Sequence, residues 1–230
     1  MPRPKDKTRD AAPQAKGRGK HRAAASKAER RSHILAAARD VFAKRGYHQA
    51  TIDDIVAETG VARGTFYLYF EDKRAVFSDL MDRFFTALTM AINRIDVAPS
   101  APPVADQARA NMRAIIGTCL ADRAMTKILL SDAQGVDPAF DRKLSTFYDA
   151  VVQLLTDSLR DGQKLGIVAD GEPRVMAYLT IGALKELLYQ AVTLGLAEES
   201  ADVLTQQFFE FVSQGYLRVH PREPRGRRAR

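Results

Sequence analysis

The chain has 230 residues, 46% of them hydrophobic, with a net charge of +7 and one cysteine. No run approaches the roughly 18 apolar residues of a membrane-spanning helix. Cys119, being alone, excludes an internal disulfide and any cysteine-based zinc site, and it reads as a small buried apolar residue. Charge is unevenly placed. Residues 1–33 carry eleven Lys/Arg against three Asp/Glu and residues 218–230 carry six against one, leaving a mildly acidic body between two basic tails. Such tails suit a polyanion such as DNA, and they also keep a protein in solution. The N-terminus, MPRPKDKTRDAAPQAKGRGKHR, lacks the apolar core of a signal peptide, so a cytoplasmic location is expected.

Residues 1–26 show no apolar periodicity and are expected to form a disordered basic tail. From Lys27 to Arg45, Ile34, Leu35, Ala38, Val41 and Phe42 recur at helical spacing, and Gly46 ends that helix. The stretch Thr51–Lys73, TIDDIVAETGVARGTFYLYFEDK, follows. Ile52, Ile55 and Val56 give one face of a second helix, with a capping-box-like start at Thr51 and Asp54 and a stop at Gly60. In a third helix Val61, Phe66 and Phe70 would anchor inward, which leaves Arg63, Gly64, Thr65, Tyr67 and Leu68 outside. A helix held from behind that shows water such a set is built to meet something. A helix-turn-helix over residues 51–70, reading a DNA major groove, accounts for it and makes residues 27–72 a DNA-binding domain.

A long helix is expected from Asp72 to Ile95, with Phe77, Leu80, Met81, Phe84, Leu88, Ile92 and Ile95 in one stripe. It exceeds what a three-helix unit needs to bury and so links the two halves. After the break at Pro99–Pro103, helices are expected near 104–119, 122–133, 138–163, 173–194 and 201–217, which makes the chain all-α. Residues 96–217 form the second domain and 218–230 the basic C-terminal tail. Val175–Val192 is apolar on most of its circumference, and the last helix adds Val203, Leu204, Phe208, Phe211, Val212 and Tyr216. These two helices can finish an intramolecular core or form a four-helix seam with a symmetry mate. Leu187, Val192, Phe208, Phe211 and Val212 are the candidate seam residues.

A ligand pocket should leave polar residues on otherwise buried helix faces. The candidates are Arg113, Asp132, Tyr148, Tyr178 and Tyr189, together with Lys185, Glu186 and Gln190. An enzyme is not expected. His21, His33, His48 and His220 are scattered, and HExxH, P-loop, nucleophile-elbow and dinucleotide fingerprints are lacking. No catalytic residue, metal ligand or cofactor is assigned, and Asp137 with Asp141 reads as helix capping.

The run GVARGTFYLYF, with ATIDDIVAET before it and Lys73 three residues after, resembles the tetracycline-repressor (TetR) family of bacterial transcription regulators. The resemblance covers about residues 28–88. It implies an all-α homodimer with an N-terminal three-helix DNA-binding domain and a C-terminal domain for a small ligand and the dimer contact. Carried onto this sequence, it places Arg63, Gly64, Thr65 and Leu68 at the bases, Arg63 suited to a guanine edge and Thr65 to a thymine methyl. Thr51, Tyr67 and Lys73 would contact phosphates. The segment GALKELLYQAV at 182–192 looks like one found in the branch that senses fatty acyl-CoA. The implied function is a regulator, usually a repressor, released from a double-stranded operator by a small lipophilic or acyl-CoA-like effector. The alternative is a dimeric regulator that is constitutive or controlled by a protein partner. Two departures stand out: Ala62 where the family often carries a Ser or Thr cap, and Thr59 where alanine is common. Without its cap, the third helix is expected to be loosely ordered until DNA holds it.

Overall fold

The computed structural model describes residues 15–98, 100–132, 135, 138–193 and 200–215, with side chains from Ser26 onward except that of Asp132. Among these residues the order is α1 (Ala15–Arg45), α2 (Ile52–Thr59), α3 (Arg63–Tyr67), α4 (Lys73–Met90), α5 (Val104–Ala121), α6 (Arg123–Lys127), α7 (Pro138–Lys164), α8 (Pro173–Thr193) and α9 (Ala201–Gly215). A π-helical turn, Ile128–Asp132, continues α6. No strand is present among the described residues. Residues 1–14 of the expected N-terminal tail, the C-terminal tail, Tyr216, Asp137 and the Asp132 side chain lie outside the described residues.

The apolar stripe of α1 packs on α2 and α4, burying Ile34, Leu35, Ala38, Val41 and Phe42. Gly46 (φ 77°) ends α1, which swings Tyr47 back against Phe42 and Phe77. One apolar core runs without interruption from these residues through α4 into the second half, where it takes in Ile116, Met125, Ile128, Leu188 and Phe208. The body also docks on the first domain through α6. Lys127 Nζ donates to the Ala43 carbonyl at 3.0 Å, and Arg39 pairs with Asp122 at 3.6 Å. A smaller cluster of Leu159, Val168, Met176 and Ala177 closes the far end of α7 and α8.

Three expectations about the elements change. The first helix starts at Ala15, twelve residues before Lys27, because a stretch rich in Ala, Lys and Arg favours helix without an apolar face. The linking helix stops at Met90 and does not reach Ile95. The cause is on α5, whose side-chain amides act as a neighbouring backbone. Asn111 accepts from the Asn93 amide at 2.9 Å and donates to its carbonyl at 2.6 Å. Gln107 does the same for Asp96 at 2.8 and 2.7 Å, so Asn93 and Asp96 lie outside the helix with their backbone groups paired. The proposed seam changes too. Phe208 and Val212 are buried in the chain's own core, and Leu187 and Val192 are half-buried, so of the five only Phe211 is exposed. The apolar residues that α8 and α9 leave outside are Val175, Tyr178, Leu179, Val203 and Phe211.

Candidate nucleic-acid interface and effector cavity

Helix α2 begins with a complete capping box. Thr51 Oγ1 accepts from the Asp54 amide at 3.1 Å, while Asp54 Oδ2 accepts from the Thr51 amide at 2.9 Å. The Thr51 hydroxyl also donates to Asp54 at 2.8 Å. These two bonds from Thr51, with the Arg45 guanidinium beside them, hold the Asp54 carboxyl below its ordinary range. The hydroxyl is therefore occupied at both ends, and a phosphate at this helix start would meet backbone amides. Gly60 (φ 68°) supplies the left-handed stop. Thr59, where a small residue would have served the packing, donates to the Val56 carbonyl at 3.0 Å and accepts from the Val61 amide at 3.3 Å, so its hydroxyl braces the turn between α2 and α3.

Ala62 starts α3 from extended backbone with no side-chain cap, as its identity required. The helix is held from behind instead. Phe66 is fully buried, Phe70 nearly so, and Arg31 lies over the Phe70 ring at 4.7 Å. Arg63, Gly64, Tyr67 and Leu68 are exposed and Thr65 is half-buried, so the five form one outward surface. Leu68 is 75% exposed, a large apolar side chain left in water on a helix that has a buried side available. Nothing lies within 4 Å of where a Cβ on Gly64 would sit, so the backbone there is open to an approaching partner. Arg63 is organised before any partner arrives: Nη1 donates to both Asp53 oxygens at 2.6 and 2.8 Å, and Nη2 lies 3.5 Å from the Tyr67 hydroxyl. Asp53 was missed in the sequence, since the α2–α3 turn that brings it to Arg63 is a tertiary fact.

Lys73 departs from its expected place among the phosphate contacts. Its ammonium donates to the carbonyls of Tyr47 and Ala50 at 2.7 Å each and reaches that of His48 at 3.4 Å. It sits 4.4 Å from the Tyr47 ring centroid, and burial pushes its pKa down from the ordinary lysine value. All three N–H groups are spent on the turn between α1 and α2. Lys73 is thus a staple that fixes the domain's geometry, and a phosphate contact would require it to give up those carbonyls.

The body contains an apolar cavity of about 310 Å³ between α4, α5, the α6–π segment, α7 and α8. Leu88, Ile92, Leu129, Val151 and Leu184 are among its walls. Of the polar candidates only Tyr148 and Lys185 line it. Arg113 lies on the surface and pairs with Asp202, which ties α5 to α9. Tyr178 is exposed and accepts from Arg174 Nε at 3.1 Å. Tyr189 is half-buried outside the cavity, and Glu186 and Gln190 bond each other at 2.6 Å. Helix periodicity could not separate these cases, because a polar residue on an apolar helix looks the same beside a cavity or at an exposed edge. Cys119, expected from the sequence as a small buried apolar residue, and Thr126 also line the cavity.

A capped α2, a left-handed turn and an α3 held from behind define a helix-turn-helix seated on a helical body that carries the cavity. Residues 34–80, which hold the helix-turn-helix, match the family described as bacterial regulatory proteins, tetR family. Among curated proteins, the transcriptional repressor BepR of Brucella suis is 44% identical over 62 residues, 27% of this chain and 30% of that protein. The matched stretches span 27% to 42% of the length of the curated relatives. Whole-chain likeness is seen in solved structures. The ketosteroid transcriptional regulator KstR2 of Mycobacterium tuberculosis superposes with a TM-score of 0.69 at 21% identity, over 82% of this chain and 95% of that one. FadR of Bacillus subtilis, solved with stearoyl-CoA, gives 0.63 at 20% identity over 80% and 98%. At these identities the likeness establishes the shared all-helical architecture.

Proposed function

We propose that this chain is a cytoplasmic, homodimeric transcription repressor that binds a two-fold DNA operator through α3 and is released by a small lipophilic effector in the α4–α8 cavity. The observation that carries the DNA reading is the outward set Arg63, Gly64, Thr65, Tyr67 and Leu68, braced from behind by Phe66 and Phe70. Arg63, steadied by Asp53 and Tyr67, has the fork geometry for a guanine edge. The effector reading is supported by the cavity, which a constitutive regulator would have no need to keep open, and by the stearoyl-CoA in the similarly folded FadR. Leu88 and Thr89 put the end of α4 in the cavity wall, while Lys73 and Phe77 put its start against α1 and the turn before α2. A ligand that moves α4 therefore changes the spacing of the two recognition helices. The coupling is reciprocal, so DNA must lower effector affinity by the same factor.

Selection of bound sites from random duplexes tests the DNA reading. The wild type should recover a two-fold operator and prefer it to scrambled DNA. Arg63→Ala should lose roughly tenfold or more of that preference while keeping its non-specific affinity. A uniform loss on operator and scrambled DNA would refute the base-reading role.

The dimer reading rests on apolar residues that α8 and α9 leave in water, above all Leu179 and Phe211, at 65% and 62% exposed. Paired with a second copy, these faces would form a four-helix seam. Leu179→Glu is expected to shift sedimentation towards the monomer and weaken binding to a two-half-site operator far more than to a half-site. An unchanged mass would place the seam elsewhere.

A further inference from the structure

The polar groups around the cavity are few, and each can be accounted for. The Thr89 hydroxyl donates to the Phe85 carbonyl at 2.8 Å and that of Thr126 to the Cys119 carbonyl at 2.7 Å, so both are committed to backbone. Burial pushes the Cys119 thiol up to about 11, despite the Thr126 hydroxyl beside it, which keeps it neutral. Tyr148 on α7 and Lys185 on α8 remain, and they face each other: Lys185 Nζ lies 4.6 Å from the Tyr148 ring centroid. Among the described residues no carboxylate, carbonyl or hydroxyl is hydrogen-bonded to that ammonium, and the Tyr148 hydroxyl has no hydrogen-bond partner.

Lys185 is a half-buried residue of the cavity wall, and the Tyr148 ring face that its ammonium meets stands in only in part for an anionic partner. A lining matched to a neutral ligand has no use for that charge. Among the described residues Lys185 is also the only cation in the lining, so the site is matched to one negative charge and not to the several phosphates of a coenzyme A ester. At about 310 Å³ the cavity lies at the low end of the usual ligand-site range of about 300–1,000 Å³, enough for one aliphatic chain or a small ring system.

We infer that the cavity takes an amphiphile with a single terminal carboxylate, whose headgroup pairs with the Lys185 ammonium and accepts from the Tyr148 hydroxyl. The inference rests on the cavity being the effector site. Tyr148 does double duty: its ring holds the ammonium in place when the site is empty, and its hydroxyl becomes the second donor when a carboxylate arrives.

Calorimetric titration of the full-length protein with dodecanoate, 1-dodecanol and dodecanoyl-CoA separates the possibilities. Dodecanoate should bind at least tenfold more tightly than either of the others. In Lys185→Met the dodecanoate-to-dodecanol ratio should fall to near one through loss of dodecanoate affinity, and Lys185→Arg should keep most of the preference. Equal affinities for dodecanoate and dodecanol in the wild type, a preference that survives Lys185→Met, or tighter binding of the coenzyme A ester would each overturn the carboxylate assignment. Leu184→Trp and, independently, Leu130→Trp fill the cavity from two walls, with folding checked by circular dichroism. If both probes bind equally and either filled variant abolishes that binding, the cavity reading stands and the carboxylate clamp falls. If neither probe binds the wild type, both fall together.

Discussion

Phe77→Ala is expected to destabilise the protein by about 3–5 kcal/mol, the cost of emptying a fully packed aromatic site. The Phe77 ring is 1% exposed and touches three other rings, with centroids 5.7 Å from Phe42, 4.6 Å from Tyr47 and 4.9 Å from Phe140. Phe42 belongs to α1, Tyr47 to the turn before α2 and Phe140 to α7, so a single side chain joins the DNA-binding domain to the body. Native stability is about 5–15 kcal/mol, so the variant would lose a large share of it, read as a fall of roughly 6–20 °C in Tm. A loss below about 1 kcal/mol in urea unfolding would show that the neighbouring rings collapse into the gap and that the joint is not specific.

The same residue bears on communication. Helices α4 and α7 are fastened at three successive levels. Phe77 packs on Phe140, Lys143 Nζ bonds Asp82 at 2.7 and 2.8 Å and Ser78 at 3.0 Å, and Phe85 stacks on Phe147 at 4.2 Å. Phe147 and Tyr148 are also cavity walls. A ligand that displaces α7 must therefore carry α4 with it, which gives the proposed lever two fastenings in place of one. Phe77→Leu, which keeps most of the volume, should fold and weaken the effect of effector on operator affinity; undiminished coupling would remove this joint from the route.

Lys73→Ala is the second large effect. Three carbonyls converge on its ammonium, and a hydrogen bond to a charged group is worth about 1.5–3 kcal/mol net, so a stability loss of that order is expected, partly relieved by water at the edge of the turn. Operator and scrambled DNA should both be bound more weakly, because the turn that sets α2 on α1 loosens. A plain phosphate contact predicts the second result but not the first. Thermal unfolding without DNA therefore decides: an unchanged Tm with uniformly weakened binding would return Lys73 to the phosphate-contacting set. Lys73→Arg should not rescue, since a planar guanidinium cannot aim three donors into a concave turn as an ammonium does.

Much of this was legible along the chain. The Thr51–Asp54 capping box, the left-handed Gly60, the bare start at Ala62 and the inward Phe66 and Phe70 all follow from local rules that act within a few residues. The helices of the body are found close to where periodicity placed them, for the same reason. Sequence alone therefore determined the all-α class, the helix-turn-helix and its outward residues.

What only the tertiary structure decided is the role of long side chains and of apolar surplus. Lys73 could reach a phosphate or three carbonyls of a turn some 25 residues earlier, and only the packing of α4 on that turn chose the carbonyls. Asp96 and Asn93 left the linking helix because α5 brought two amides to them. Phe208 and Phe211 share one helix and one residue type, yet one is core and the other faces water, which depends on where α9 lies against α5. Lys185 was one of eight polar candidates along the chain, and only the cavity and Tyr148, on another helix, set it apart from the others. Local propensity and capping act between near neighbours and can be read along the chain; the partners of a flexible charge, or of a surplus apolar face, are set by which distant helices close around it.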